Sequence, residues 1–211
     1  MVKFSELTLK EYMSQLAAGT PIPGGGGAAA LAGALGAALA SMTANFTVGR
    51  EKFAADEEEA QELLGVMDSA RAKLLSLIDE DAQAFSKLIE GYKMPKVTPE
   101  ETAARVRVIR SAAKESAEVP MEVSRLMVDV LGAAAKLVTI GNPNVLSDAA
   151  CSVLFARAAM RCAVYNVRIN LELTKDPVYI REMEEELRLL QHDAIRYEKS
   201  AMGVVDKLLG K

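Results

Sequence analysis

One carboxylate in this sequence sits where a carboxylate should not be. Leu63, Met67, Ala70, Leu74, Leu77, Asp81, Ala84 and Leu88 recur in steps of four and three, the spacing of a single buried helical stripe. Every member except Asp81 is apolar. A carboxyl group held in such a stripe loses hydration, which disfavours its charged form and raises its pKa. That is the setting in which a carboxyl group exchanges protons near neutral pH. The same position also suits a buried salt bridge or a contact with a helix end, and the pattern does not separate these roles. Asp79 projects about 160° away on the same helix and is expected on the outside.

Two further features could accompany that carboxyl group. Asp148, Phe155, Ala159, Cys162, Asn166, Asn170 and Leu173 fall within a stripe about 80° wide on a later helix. Amides on a partly apolar face need partners. Asn166 and Asn170 either bond to neighbouring helix backbone or line a pocket for a heteroaromatic ligand. Arg157, Arg161 and Arg168 project the other way, toward an edge or a subunit interface. The second feature is "TPIPGGGG" at residues 20–27, directly before an alanine-rich helix. Glycines there leave backbone N–H groups bare at the positive end of the helix dipole, where an anion is welcome. The turn lacks the G-K-[ST] ending of a phosphate-binding loop and the G-x-G-x-x-G fingerprint.

Other chemistries find little support. The chain has one histidine, His192, on a charged helix and read as a surface residue, and two cysteines without ligand-like spacing, so a metal site is not expected. Cys151 and Cys162 lie about 16 Å apart along one helix and cannot bridge each other, which fits a reduced, cytoplasmic protein. The start, "MVKFSELTLKEY", has no apolar core of a signal peptide. With 25 basic and 29 acidic residues mixed along the chain, a net charge of -4 offers no footprint for nucleic acid.

The elements that must position these residues are all helical. The 211 residues suit one domain, 1–211, rich in helix formers, with only 5% aromatic residues. Thr8 and Glu11 make a capping box for a short helix ending near Gly19. A helix from about Gly27 to Gly49 follows, with Ala29, Gly33, Ala37 and Ser41 giving one face of small residues for close packing. No charge occurs between Glu11 and Arg50. The polar Ser41, Thr43, Asn45 and Thr47 nevertheless argue for a helix buried in a bundle over a membrane span. A third helix covers about Asp56–Gly91. Thr98, Pro99 and Glu101 start the next, which runs toward Gly132 and is disturbed at Pro120. "GNPN" at 141–144 turns the chain, Ser147 caps a helix to about Lys175, and Asp176-Pro177 starts the last. Its run Glu184–Glu186 reads as a solvated face. The expected fold is an all-α, single-domain bundle of long helices.

Taken together, "TPIPGGGGAAALAGALGAAL", "DEDAQAFSKLIEGYKMPKVTPEE" and "GNPNVLSDAACSVLF…YNVRINL" resemble the cyclodeaminase/cyclohydrolase family. The resemblance covers essentially the whole chain in order. It implies an all-α homodimer with a folate site near the dimer interface. The implied reaction closes 5-formiminotetrahydrofolate to 5,10-methenyltetrahydrofolate with release of ammonia. Some bacterial relatives instead add water to the methenyl form, giving 10-formyltetrahydrofolate. The family's aspartate maps to Asp81, the residue the stripe singles out independently. Pro23, Gly24, Gly25, Gly26 and Gly27, then Lys96 of "MPK", then Asn142, Ser147 and Asp148 of "GNP…SD" map to its other motifs. Gly27 stands where the family commonly has serine, which bears on substrate preference.

On that basis Asp81 is the expected general acid/base, and Asn166 and Asn170 are expected to read the pterin edge. The glycine turn and Lys96 are expected to meet glutamyl carboxylates. A reduced folate is the substrate, no cofactor is held permanently, and a separate formiminotransferase is the expected partner. A helical protein that binds folate without converting it is the non-catalytic alternative.

Overall fold

The computed structural model describes residues 3–210, and among them the regular structure is entirely helical. A single 3-10 turn at Phe4–Glu6 precedes α1 (Leu9–Leu16). Then come α2 (Gly25–Asn45), α3 (Glu57–Lys93), α4 (Pro99–Ile140), α5 (Leu146–Thr174) and α6 (Pro177–Leu208). The capping box expected at Thr8 forms, and Thr98, expected to start the fourth helix, makes a second one with Glu101. Thr8 Oγ1 accepts from the Glu11 N–H at the start of α1, and Thr98 Oγ1 accepts from the Glu101 N–H at the start of α4.

The centre of the bundle is α2, which packs against α3, α4 and α5, while α6 covers α4 and α5. Its small residues are the buried ones: Ala29, Gly33, Ala37 and Ser41 all face inward. A Cβ on Gly33 would stand 2.8 Å from Met127 Cε, and one on Gly36 would stand 3.1 Å from the Ala156 backbone nitrogen of α5. Ser152 of α5 donates its hydroxyl to the Gly36 carbonyl at 2.8 Å, which locks the two backbones together. Among the described residues α2 is the one helix long and apolar enough to cross a membrane, yet it owes that composition to its central place. Its larger side chains Leu35 and Met42, and Phe46 just past its end, point outward instead.

Several expectations about the elements are corrected. α4 does not end near Gly132 but continues to Ile140, and it passes through Pro120 without interruption. Proline lacks an N–H, so the Ser116 carbonyl one turn earlier has no intrahelical donor. Asn170 of α5 supplies one, with Nδ2 donating to that carbonyl at 2.8 Å. Ser147 is not the cap of α5: the preceding 3-10 turn is capped by Asn142, and Ser147 is an exposed residue of the first helical turn. Asp79 is not outside either. It accepts the Phe4 N–H at 2.6 Å and bonds the Ser5 N–H and hydroxyl, which clasps the N-terminal segment to α3. Arg157 and Arg168 pair with Glu198 and Glu184, so this side of α5 faces α6. Glu184 and Glu186 are partly covered by such pairs, with Glu186 bound to Arg125, so the run Glu184–Glu186 is not a purely solvated face.

Candidate functional site

Asp81 sits about two-thirds of the way along α3, with Leu74, Leu77 and Leu88 of its stripe fully buried and its own side chain half-buried at the floor of a cleft. The cleft is closed on one side by the start of α2. Because the N-cap of α2 is Gly24, which has no side chain, the helix takes its cap from elsewhere. Asp81 Oδ2 accepts the Gly27 N–H at 2.9 Å. The carboxyl group thus acts as a helix cap and also faces the cleft.

The glycines make this approach possible. A Cβ on Gly26 would stand 2.7 Å from Asp81 Cγ, and one on Gly25 would stand 3.1 Å from Asn166 Oδ1. Any side chain at Gly26 would therefore push Asp81 out of place. The glycine run serves to admit two protein side chains against bare backbone, with the Gly27 amide already committed to Asp81.

Across the cleft stand α4 and α5. Asn166 Nδ2 donates to the Cys162 carbonyl at 2.9 Å and Asn170 Nδ2 to Ser116, so both amide nitrogens serve backbone. Their carbonyl oxygens are left for the cleft. Ser116 lines it as well, and its buried hydroxyl has no hydrogen-bond partner among the described residues. Pro21, Ile22, Phe85 and Ile169 add apolar wall. The cavity is about 200 Å³, below the roughly 300–1,000 Å³ of pockets that enclose a whole ligand. It holds one end of a larger molecule, whose remainder must lie along the surface. Larger hollows of about 680 and 630 Å³ lie between α5 and α6 and between α3 and α4. They are open surface grooves, the first lined largely by charged side chains, and offer no buried reactive group.

Burial pushes the Asp81 carboxyl above the ordinary aspartate range, and the Gly27 hydrogen bond only partly opposes this. The arrangement can therefore hold, release and return a proton at one point inside a cleft lined by carbonyl and hydroxyl oxygens. Among the described residues no group of three or more His, Cys, Asp or Glu side chains could hold a metal ion.

The fold brings together only part of the expected site. Gly24, Gly25, Gly26, Asp81, Asn166 and Asn170 line one cleft, with Pro23 and Gly27 directly beside it. Lys96 is exposed in the turn after α3, at least about 18 Å from Asp81 along that helix. Asn142, Ser147 and Asp148 gather at the opposite end of the bundle. The Asn142 backbone N–H and side chain bond to Thr47 and Phe46, just past the end of α2 and about 30 Å from the glycine turn. Ser116 was missed, although a serine four residues before a helical proline marks a freed carbonyl that another side chain must satisfy.

Comparison with known proteins identifies the family and the fold. The family model described as formiminotransferase-cyclodeaminase matches residues 8–189. A methenyltetrahydrofolate cyclohydrolase of Methylorubrum extorquens is 38% identical over 89% of this chain and 90% of its own length. The formimidoyltransferase-cyclodeaminase of Mus musculus is 32% identical over 90% of the chain, which spans 35% of that longer protein. The crystal structure of formiminotetrahydrofolate cyclodeaminase from Thermotoga maritima superposes with a TM-score of 0.88 at 31% identity, covering 97% of this chain and 98% of that one. The chain belongs to the formiminotransferase-cyclodeaminase family, a family of folate one-carbon enzymes.

Proposed function

We propose that this enzyme closes 5-formiminotetrahydrofolate to 5,10-methenyltetrahydrofolate with release of ammonia, using Asp81 as its proton carrier. The observation that carries the reading is the setting of Asp81, a desolvated carboxyl group at the floor of a cleft against the start of α2. Starting from the protonated formimino group, N10 attacks the carbon on N5 and gives a tetrahedral aminal. Asp81 takes the proton from N10 and passes it to the amino group, which leaves as ammonia while the methenyl cation forms. Holding both nitrogens in ring-closing geometry supplies the rest of the acceleration. No permanently bound cofactor enters this scheme.

The pterin end enters the cleft, where the carbonyl oxygens of Asn166 and Asn170 accept from its donors. Lys96 then lies at a distance suited to the glutamyl tail, whereas the glycine turn serves the reacting end and no longer competes for that role. Leu35 and Met42 of α2 and Phe46 just past its end are exposed, as are Leu154, Phe155 and Ile169 of α5. In this reading a second copy of the chain covers that face. Antiparallel packing would bring Asn142, Ser147 and Asp148 of the second copy toward the cleft, which the same chain cannot do. Light scattering on the eluting protein should report a dimer that Ile169→Glu dissociates, and a monomeric wild type would contradict it.

A second reading is favoured by the relative from Methylorubrum extorquens, which matches this chain nearly end to end and is named a methenyltetrahydrofolate cyclohydrolase. Water adds to the methenyl carbon, and Asp81 takes one of its protons and passes it to N5. The bond from carbon to N5 breaks as the remaining hydroxyl proton goes to solvent, and the formyl group stays on N10. Gly27 lies within the part of the site that would distinguish the two, since it adjoins Asp81. Following the near-ultraviolet band of the methenyl form with each substrate separates them, and Asp81→Asn should lower turnover in either case by ~10²–10⁴.

A further inference from the structure

Behind Asp81, on the side away from the cleft, a buried hydroxyl has no partner. Tyr12 of α1 is 3% exposed, and its hydroxyl makes no hydrogen bond among the described residues. A buried hydroxyl without a partner is destabilising, so its position calls for an explanation. The hydroxyl faces the space where Gly27 has no side chain. A Cβ on Gly27 would stand 3.4 Å from the Tyr12 hydroxyl, 3.6 Å from the Ile78 carbonyl oxygen and 3.7 Å from Asp81 Oδ2. Three oxygens therefore converge on one small slot, and when Asp81 is ionised only the Tyr12 hydroxyl among them brings a proton to it. The clasp between Asp79 and residues Phe4 and Ser5 holds the segment that leads into α1.

We propose that Tyr12 is a positioning residue for Asp81, its hydroxyl reaching the carboxylate through the slot left by Gly27 and steadying it whenever Asp81 is ionised. The inference rests on the reading of Asp81 as the proton carrier. A bridging water, or a small hydroxyl side chain at residue 27, completes the link, because two or more polar partners await it. Burial and the nearby Asp81 carboxyl push the Tyr12 hydroxyl up to about 12, so near neutral pH it keeps its proton and can donate. The other groups around Asp81 leave this role open. α2 offers the Gly27 N–H, α4 offers Ser116, and α5 offers Asn166 and Asn170, none of which titrates in this range. Asp79 on α3 is turned toward Phe4 and Ser5.

The test is to titrate the Asp81 carboxyl by carbon-13 NMR of aspartate-labelled protein, with Asp81→Asn identifying the resonance. Tyr12→Phe removes a donor to the charged form. Its ionisation equilibrium should shift roughly tenfold or more toward the protonated form, the effect of one hydrogen bond to a charged group. The pH limb of kcat/KM should move upward with it, and kcat should fall more than KM changes. Gly27→Ser fits the slot without a close contact and places a hydroxyl beside Asp81. Adding it to Tyr12→Phe should return the midpoint to the wild-type value or below. Gly27→Ser alone should lower the midpoint, and this holds even where Tyr12→Phe does not fold. A midpoint unmoved in folded Tyr12→Phe, or unmoved by Gly27→Ser, would overturn the proposal. Full turnover by Asp81→Asn would instead defeat the proton-carrier reading, while the titration still reports whether Tyr12 and Asp81 are linked.

Discussion

Asp81 occupies the ground that Gly26 leaves empty. A Cβ on Gly26 would stand 2.7 Å from Asp81 Cγ, closer than carbon atoms pack, while the next residue, Gly27, would meet nothing nearer than 3.4 Å. Two adjacent glycines in one helical turn thus answer to different constraints. Gly26→Ala must displace the carboxylate, and a displacement near 1 Å costs on the order of 10²-fold in rate. Gly27→Ala leaves Asp81 in place but fills the slot between it and Tyr12, so its loss should be that of Tyr12→Phe, about tenfold, with a slight gain in helix propensity. Steady-state kinetics of the two variants checks the contrast, and equal losses would show that the contact with Asp81 is not what matters.

Stability should report the same strain with the opposite sign from activity. The folded state raises the Asp81 carboxyl, chiefly through burial. A raised carboxyl pKa means that the ionised form is disfavoured in the folded protein, so its contribution is intact below the ordinary aspartate range and is lost as pH rises through the folded value. Asp81→Asn removes that loss and keeps an oxygen for the Gly27 N–H. At pH 7 the variant should be more stable by about 0.5–2 kcal/mol, the usual gain where a site trades stability for function. The difference should shrink as pH falls through the folded value and be gone near the ordinary aspartate range, about pH 4. Urea denaturation at both pH values measures it.

The pairing of Asn170 with the carbonyl freed by Pro120 makes a separate prediction about structure. Asn170→Leu strands the buried Ser116 carbonyl and should cost about 1–3 kcal/mol. Pro120→Ala restores an intrahelical N–H to that carbonyl, so the same Asn170→Leu change in that background should cost markedly less. A double-mutant cycle by chemical denaturation reads the coupling, and additive effects would contradict the link.

How much of this was legible beforehand depended on whether a feature was local. Asp81 stood out because a single carboxylate interrupted a helical stripe, and the capping boxes at Thr8 and Thr98 carry their signal within four residues. The glycine run was visible but ambiguous. Spacing alone does not reveal that Asp81, some fifty-four positions later, accepts the Gly27 N–H in place of a ligand anion. Asp79 was misplaced because helical geometry says where a side chain points but not that the N-terminal segment folds back onto it. Tyr12 and Ser116 were overlooked for the same reason, since each gains its meaning from a partner on another helix. Asn142, Ser147 and Asp148 shared a motif in sequence, yet the antiparallel run of helices carries them to the far end.

The central claim is that Asp81 moves the proton that lets the one-carbon unit change partners. The most direct measurement gives the purified enzyme and its Asp81→Asn variant 5-formiminotetrahydrofolate and, separately, 5,10-methenyltetrahydrofolate, and follows the methenyl absorption. The account predicts turnover of one of them by the wild type, reduced by ~10²–10⁴ in a variant that remains folded. A folded Asp81→Asn enzyme with near wild-type rates on the same substrate would contradict it.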